Sequence, residues 1–180
     1  MWTVPMVLSI ILLFAAGAIS APEVGDRLPR FMLAAPDDSS EREYLGLTGR
    51  GSFSVADIKA DVVLIEFFNV YCPHCQVDAP VTRQLYELVQ ADPRLADRVR
   101  LIGIGIGNSD FEVGYFRKKY AVPFPLFSDL DYAVEDKIQI RYTPHYVAVR
   151  LDGKGGARIV YSQIGRIGDL KEFIDILSRL

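Results

Sequence analysis

Cysteine is scarce here: two in 180 residues, and both fall in one four-residue motif. Without a second C-x-x-C there is no four-ligand set for a structural zinc site. Histidine is as rare, with two residues, which limits metal chemistry further. There is no excess of positive charge. Lys and Arg number 20 against 23 Asp and Glu, and the signs are mixed along the chain, which argues against nucleic acid as a partner. Internal repeats, low-complexity tracts and heptads are absent, so solenoids and coiled coils are excluded. The single tryptophan is Trp2, leaving residues beyond the N-terminal stretch without one. What remains is half-hydrophobic and long enough for one domain with a real core.

The centre of that core is legible. Val62–Phe68 is β-branched and aromatic with one acid, Glu66, and reads as a strand buried on both faces. It breaks at Asn69-Val70-Tyr71 into Cys72-Pro73-His74-Cys75. Val77, Val81, Leu85 and Leu88 then follow at helical spacing, which predicts the helix's buried face. The cysteines therefore stand where a strand hands over to a helix N-terminus. Exposed amides and the helix dipole favour a thiolate there. The loop closed by a Cys72–Cys75 disulfide is very short, so it removes little unfolded-state entropy. The pair reads as a dithiol/disulfide couple rather than a staple.

Strand, C-x-x-C and helix together resemble the thioredoxin superfamily, and within it the extracytoplasmic TlpA/ResA type of thiol–disulfide oxidoreductase. The resemblance spans roughly residues 24–180. It rests on Cys72-Pro73-His74-Cys75, on Glu66 six residues earlier, on Pro80 five residues after Cys75, and on Thr143-Pro144. The segment Val24–Phe31 is also similar to the opening of TlpA and peroxiredoxin relatives. The Pro-His pair is DsbA-like, which leaves the direction of electron flow open. The resemblance implies an α/β three-layer sandwich, with a mixed sheet, helices on both faces and an N-terminal hairpin. It implies a cis Pro144, with the Thr143 backbone facing Cys72 as a substrate-binding edge and Tyr71 at the groove. It also implies protein thiols or disulfides as substrates, apocytochrome cysteines among them, a membrane thiol-transfer partner for reset, and no cofactor beyond the redox disulfide.

Met1–Pro22 carries no charged side chain. The apolar stretch Val4–Ile19, ending in Ala18-Ile19-Ser20, reads as a secretory signal cleaved after Ser20 or as an uncleaved membrane anchor. Either places residues 23–180, the expected thioredoxin-like domain, outside the cytoplasm, in a bacterial periplasm or beyond. There a thiol couple needs a partner that resets it. Pro36–Glu41 reads as a polar loop, Tyr44–Leu47 as a short strand, and Ser54–Ile58 as a short capped helix. Strands are expected at Val99–Gly105, His145–Val149 and Ala157–Ser162. Helices are expected at Pro73–Ala91, Ser109–Tyr120, Asp131–Ile138 and over Leu170, Phe173, Ile174 and Leu177, with Phe124–Phe127 extended. Gly103, Gly105 and Gly107 come too close together for a dinucleotide fingerprint and read as a crowded strand end.

In this arrangement Cys72 is the nucleophile and Cys75 the resolving thiol. His74, as an imidazolium, favours the thiolate. Glu66 is costly to bury charged, so it is either a proton acceptor for Cys75 or half of an ion pair. Three other functions compete. A thiol peroxidase places a Thr three residues before its cysteine, where this chain has Asn69. A copper-binding role would use Cys72, Cys75 and His145 or His74 as soft ligands. An exported binding domain with an incidental disulfide leaves Glu66, Pro80 and Thr143-Pro144 as coincidences.

Overall fold

β3 (Val62–Phe68) is the axis of the molecule, and all seven of its residues are buried. The computed structural model describes residues 21–180; the expected signal or anchor segment lies outside the described residues. Alternation along β3 divides the core in two. Val62, Leu64 and Phe68 face one layer, and Val63, Ile65 and Phe67 face the other.

Five strands form the sheet, in the order β5-β4-β3-β6-β7. They are β4 (Val99–Ile106), β5 (Leu126–Asp129), β6 (His145–Leu151) and β7 (Ala157–Ile164) around β3. β3 runs parallel to β4, and β4 to β5. β6 is antiparallel to β3 and to β7. The first layer holds α2 (Pro73–Ala91), α3 (Asp110–Tyr120) and α5 (Leu170–Arg179), which bury Leu85, Val89, Phe116, Phe173 and Leu177 against the sheet. The opposite face is covered by α1 (Ser39–Leu45), α4 (Glu135–Ile138) and a small antiparallel pair, β1 (Leu33–Ala34) with β2 (Ser52–Phe53). This is the expected mixed-sheet sandwich with helices on both faces. Val24–Leu28 runs along the outer side of β7. Gly25 donates to Ile159, Ile159 to Asp26, and Leu28 to Ala157, which shields an otherwise open sheet edge.

Four local expectations are corrected. Residues 39–45 are helical, so neither the polar loop nor the Tyr44–Leu47 strand stands as expected. Asp38 caps the helix by accepting from the Ser40 amide at 2.8 Å, and Gly46 ends it with φ +68°. The extended piece expected over Phe124–Phe127 is narrowed and shifted to the strand Leu126–Asp129. The Asp131–Ile138 helix contracts to Glu135–Ile138, because Asp129 caps it there. Asp129 accepts from the Val134 and Glu135 amides at 2.9 and 3.0 Å. The fourth correction matters most. The buried face of α2 is Cys75, Asp78, Ala79, Thr82, Leu85 and Val89, while Val77 and Leu88 are exposed. Counting apolar residues missed the rotation because two polar side chains, Asp78 and Thr82, lie on this face. The glycines of β4 are the crowded strand end anticipated: a Cβ on Gly103 would stand 2.4 Å from Leu126.

Candidate active site

The turn after β3 is held by side-chain amides. Asn69 Nδ2 donates to the Ile106 carbonyl at 2.8 Å, and Asn69 Oδ1 accepts from the Tyr71 amide at 2.9 Å. Asn108 Oδ1 accepts from the Val70 amide at 2.9 Å. This fixes Cys72 as the N-cap of α2, with Pro73 in the first turn, where its missing N–H has no cost. Cys72 Sγ accepts from the Cys75 amide at 3.4 Å and lies 3.3 Å from the Thr143 carbonyl. The Thr143-Pro144 peptide is cis. The structure thus brings Cys72, Cys75 and Thr143-Pro144 together, as the resemblance implied.

Both cysteines are free thiols in unlike settings: Cys72 is half-buried and Cys75 fully buried. Burial pushes the Cys72 thiol up, but hydrogen bonds from the Cys75 thiol and amide, the Thr143 side chain and the His74 amide outweigh it. The net displacement is below the ordinary thiol value. Burial and the neighbouring Cys72 push Cys75 far up, so it stays protonated. His74 is exposed on the first turn, and its backbone amide faces Cys72.

One turn along the same buried face of α2 from Cys75 lies a layer of buried acids. Glu66 is 5 % exposed and Asp78, one turn on from Cys75, is 0 % exposed. Tyr146 from β6 joins them. Its hydroxyl donates to Asp78 Oδ2 at 2.7 Å and also lies 3.2 Å from Glu66 Oε1. Asp78 further accepts from the Ile167 amide at 3.1 Å and pairs with Arg166 at 3.5 Å. Burial, then the charge of Asp78, pushes Glu66 up to about 8. Among the described residues Glu66 makes no ion pair with Lys or Arg; the ion pair of this layer belongs to Asp78. Asp78, Tyr146 and Arg166 were missed by sequence reasoning. The available signal was an acid three residues after Cys75, on the same helix face as the buried thiol.

Tyr71 is 69 % exposed and donates to Glu112. It borders a groove of about 430 Å³ shared with Phe111 and Tyr115, which are 83 % and 61 % exposed. His145 is remote from this mouth in chemistry. It belongs to the opposite face of the sheet from Tyr146, buried, with Nε2 2.9 Å from Ser162 Oγ. Among the described residues no three His, Cys, Asp or Glu side chains gather as a metal site, so the copper set of Cys72, Cys75 and a histidine is not assembled.

Fold and site together define a thioredoxin-like protein with an asymmetric C-x-x-C at a helix mouth. The chain belongs to the AhpC/TSA family, whose pattern matches residues 24–154. It is similar to the thiol-disulfide oxidoreductase ResA of Bacillus subtilis, with 25 % identity over 100 residues, 56 % of this chain and 53 % of ResA. The match thus spans about half the length of that relative. The thioredoxin domain of a Bacteroides vulgatus thiol-disulfide oxidoreductase superposes with TM-score 0.64 at 17 % identity, covering 86 % of this chain and 97 % of that one. A secreted Mycobacterium tuberculosis disulfide oxidoreductase superposes with TM-score 0.58 at 19 % identity, covering 83 % and 96 %. At such identities these likenesses establish the fold.

Proposed function

We propose that the protein is a thiol–disulfide oxidoreductase, exchanging electrons with cysteines of other proteins through Cys72 and Cys75. One observation carries the reading: Cys72 Sγ sits at the N-cap of α2, accessible and favoured as thiolate, while Cys75 is sealed beneath it as a thiol. The Cys72 thiolate attacks a partner's disulfide, forms a mixed disulfide and releases one partner thiolate. Cys75 then gives up its proton and attacks Cys72 Sγ. The internal disulfide forms and the second partner sulfur leaves with the electron pair. The proton of the resolving thiol passes into the buried layer that holds Glu66. The reverse sequence oxidises a partner's dithiol.

The Thr143-Pro144 edge lies against Cys72, and Tyr71, the residue before Cys72, borders a groove of its own; both receive the partner's extended segment. The uncharged Met1–Pro22 stretch supports action outside the cytoplasm, with a membrane thiol-transfer protein returning Cys72 and Cys75 to their working state. The M. tuberculosis neighbour is described as secreted, in keeping with this.

Turnover of insulin disulfides by the reduced protein tests the activity, and its loss in Cys72→Ser is expected. The potential of the Cys72–Cys75 couple against glutathione decides direction: near −270 mV marks a reductant like thioredoxin, near −120 mV an oxidant like DsbA. Family membership keeps peroxide as a second substrate class. Against it stands Asn69, whose side chain is fully engaged in holding the turn. Peroxide consumption with a dithiol donor, in the absence of insulin turnover, would select that reading instead.

A further inference from the structure

The acid layer one turn along α2 from Cys75 contains a proton imbalance that geometry alone exposes. Tyr146 Oη lies within hydrogen-bonding distance of two carboxyl groups, at 2.7 Å from Asp78 and 3.2 Å from Glu66. A phenol has one proton to donate. The shorter contact takes it to Asp78. The longer one is then a hydrogen bond only if Glu66 carries a proton and donates it to the phenol oxygen. Asp78 is the anionic end, fixed by Arg166 at 3.5 Å and by the Ile167 amide at 3.1 Å. The three side chains form a directed chain from Glu66 through Tyr146 to Asp78, buried at every member.

A neutral Glu66 raises a difficulty for the exchange reaction, because it has no vacant site for the proton that Cys75 must lose. We propose that Asp78 is the terminal acceptor of that proton, reached through Glu66 and Tyr146; this deepens the oxidoreductase reading and rests on it. When Cys75 attacks the mixed disulfide, the Cys75–Cys72 sulfur bond forms and the bond to the partner sulfur breaks. The partner leaves as thiolate with the electron pair. The Cys75 proton moves to one Glu66 oxygen, the proton on the other passes to Tyr146, and the Tyr146 proton passes to Asp78. Glu66 is neutral before and after, and Asp78 ends neutral beside Arg166. Asp78 and Tyr146 are positioning residues; neither touches the reacting sulfur. The titratable groups around Asp78 are Tyr146 from β6, Glu66 from β3, Cys75 one turn earlier on α2, and Arg166 from the segment before α5. His145, next to Tyr146, belongs to the other face and bonds Ser162.

The test charges Cys72 of the full chain with 5-thio-2-nitrobenzoate and follows release of the coloured thiolate as Cys75 resolves. General acid–base steps contribute about 10²–10⁴-fold, so Tyr146→Phe and Asp78→Asn are each expected to slow release at pH 7 by about tenfold or more. The charging of Cys72 should stay within about twofold, and release should recover as alkali deprotonates Cys75 directly. Tyr146→Phe keeps the packed ring, and Asp78→Asn keeps an acceptor for the Ile167 amide, so either variant reports if the other does not fold. An infrared band of a protonated carboxyl is expected at neutral pH and should vanish in Glu66→Gln. Release at the unmodified rate in Tyr146→Phe overturns the relay, as do equal slowing of charging and release without alkaline recovery, or absence of the infrared band. An unmodified protein that charges but never releases defeats the oxidoreductase reading itself, and the infrared band then still judges the buried proton separately.

Discussion

Two residues separate Cys72 from Cys75, and their surroundings are opposites. Around Cys72 the groups are backbone amides, a carbonyl edge and exposed aromatics, all at a helix mouth open to solvent. Cys75 is sealed in the apolar layer between helix and sheet, one turn before Asp78 and the Tyr146 phenol that bonds it. One turn of helix thus carries a thiol from a setting that favours charge to one that forbids it. The difference arises from α2 beginning at Cys72: the first residue caps the helix, and the fourth faces the sheet. The motif's two identical side chains acquire separate tasks from position alone.

The comparison breaks most completely at Cys72. Cys72→Ser should abolish exchange with protein disulfides, while Cys75→Ser should still attack and then accumulate the mixed disulfide, seen as a stable adduct by mass spectrometry. Loss of attack in both variants would make the two positions equivalent.

Next in size is the buried side. The Glu66 carboxyl moves from an ordinary 4.5 to about 8 on folding. Between those values the folded state holds more protons than the unfolded, so stability is highest below the lower value and falls as pH rises through the window. The slope from this group approaches about 1.4 kcal/mol per pH unit. Glu66→Gln removes that slope in urea unfolding measured from pH 5 to 8. Identical slopes in the two proteins would show that Glu66 is charged in the fold.

A smaller effect is expected at the mouth. Asn69→Ala deletes the bonds to Ile106 and Tyr71 that seat the turn. About 1–3 kcal/mol of stability should go with them, together with part of the Cys72 reactivity, while Cys75 stays protected from alkylation. Loss of protection at Cys75 as well would mean that the mouth and the buried layer are one unit.

Smallest is the effect of Phe111→Ser. This side chain is 83 % exposed beside Tyr71, so stability should hold within about 0.5 kcal/mol. The Michaelis constant for a protein substrate should rise with little change in Cys72 reactivity toward small reagents. A rise for small reagents alone would remove the groove from partner binding.

The same contrast explains what could be read in the sequence. β3, the C-x-x-C, β4, β6, β7, the extent of α2 and the presence of α5 follow from hydrophobic period, length and punctuation, because those elements bury apolar side chains in regular order. Capping residues located α3 in advance, since Ser109 and Glu112 complete a reciprocal pair. α1 was lost because seven residues give too little period, and its signals lay only in Asp38 and Gly46. The mouth of the site was legible through spacing. The buried layer was half legible. Glu66 stands out within an apolar run, but Asp78 looks like any surface acid until the helix is rotated, and Tyr146 looks like any strand aromatic. Their meaning lies in contacts between residues 66, 78 and 146, which no local pattern records.

The most direct test of the asymmetry is the rate of iodoacetamide alkylation at each cysteine of the reduced protein, followed by mass spectrometry from pH 5 to 10. Cys72 is expected to react first, with its half-maximal rate below the ordinary 9.0 of a thiol, and Cys75 to remain unmodified over the same time. Equal rates at the two positions, or Cys75 reacting first, would contradict the account.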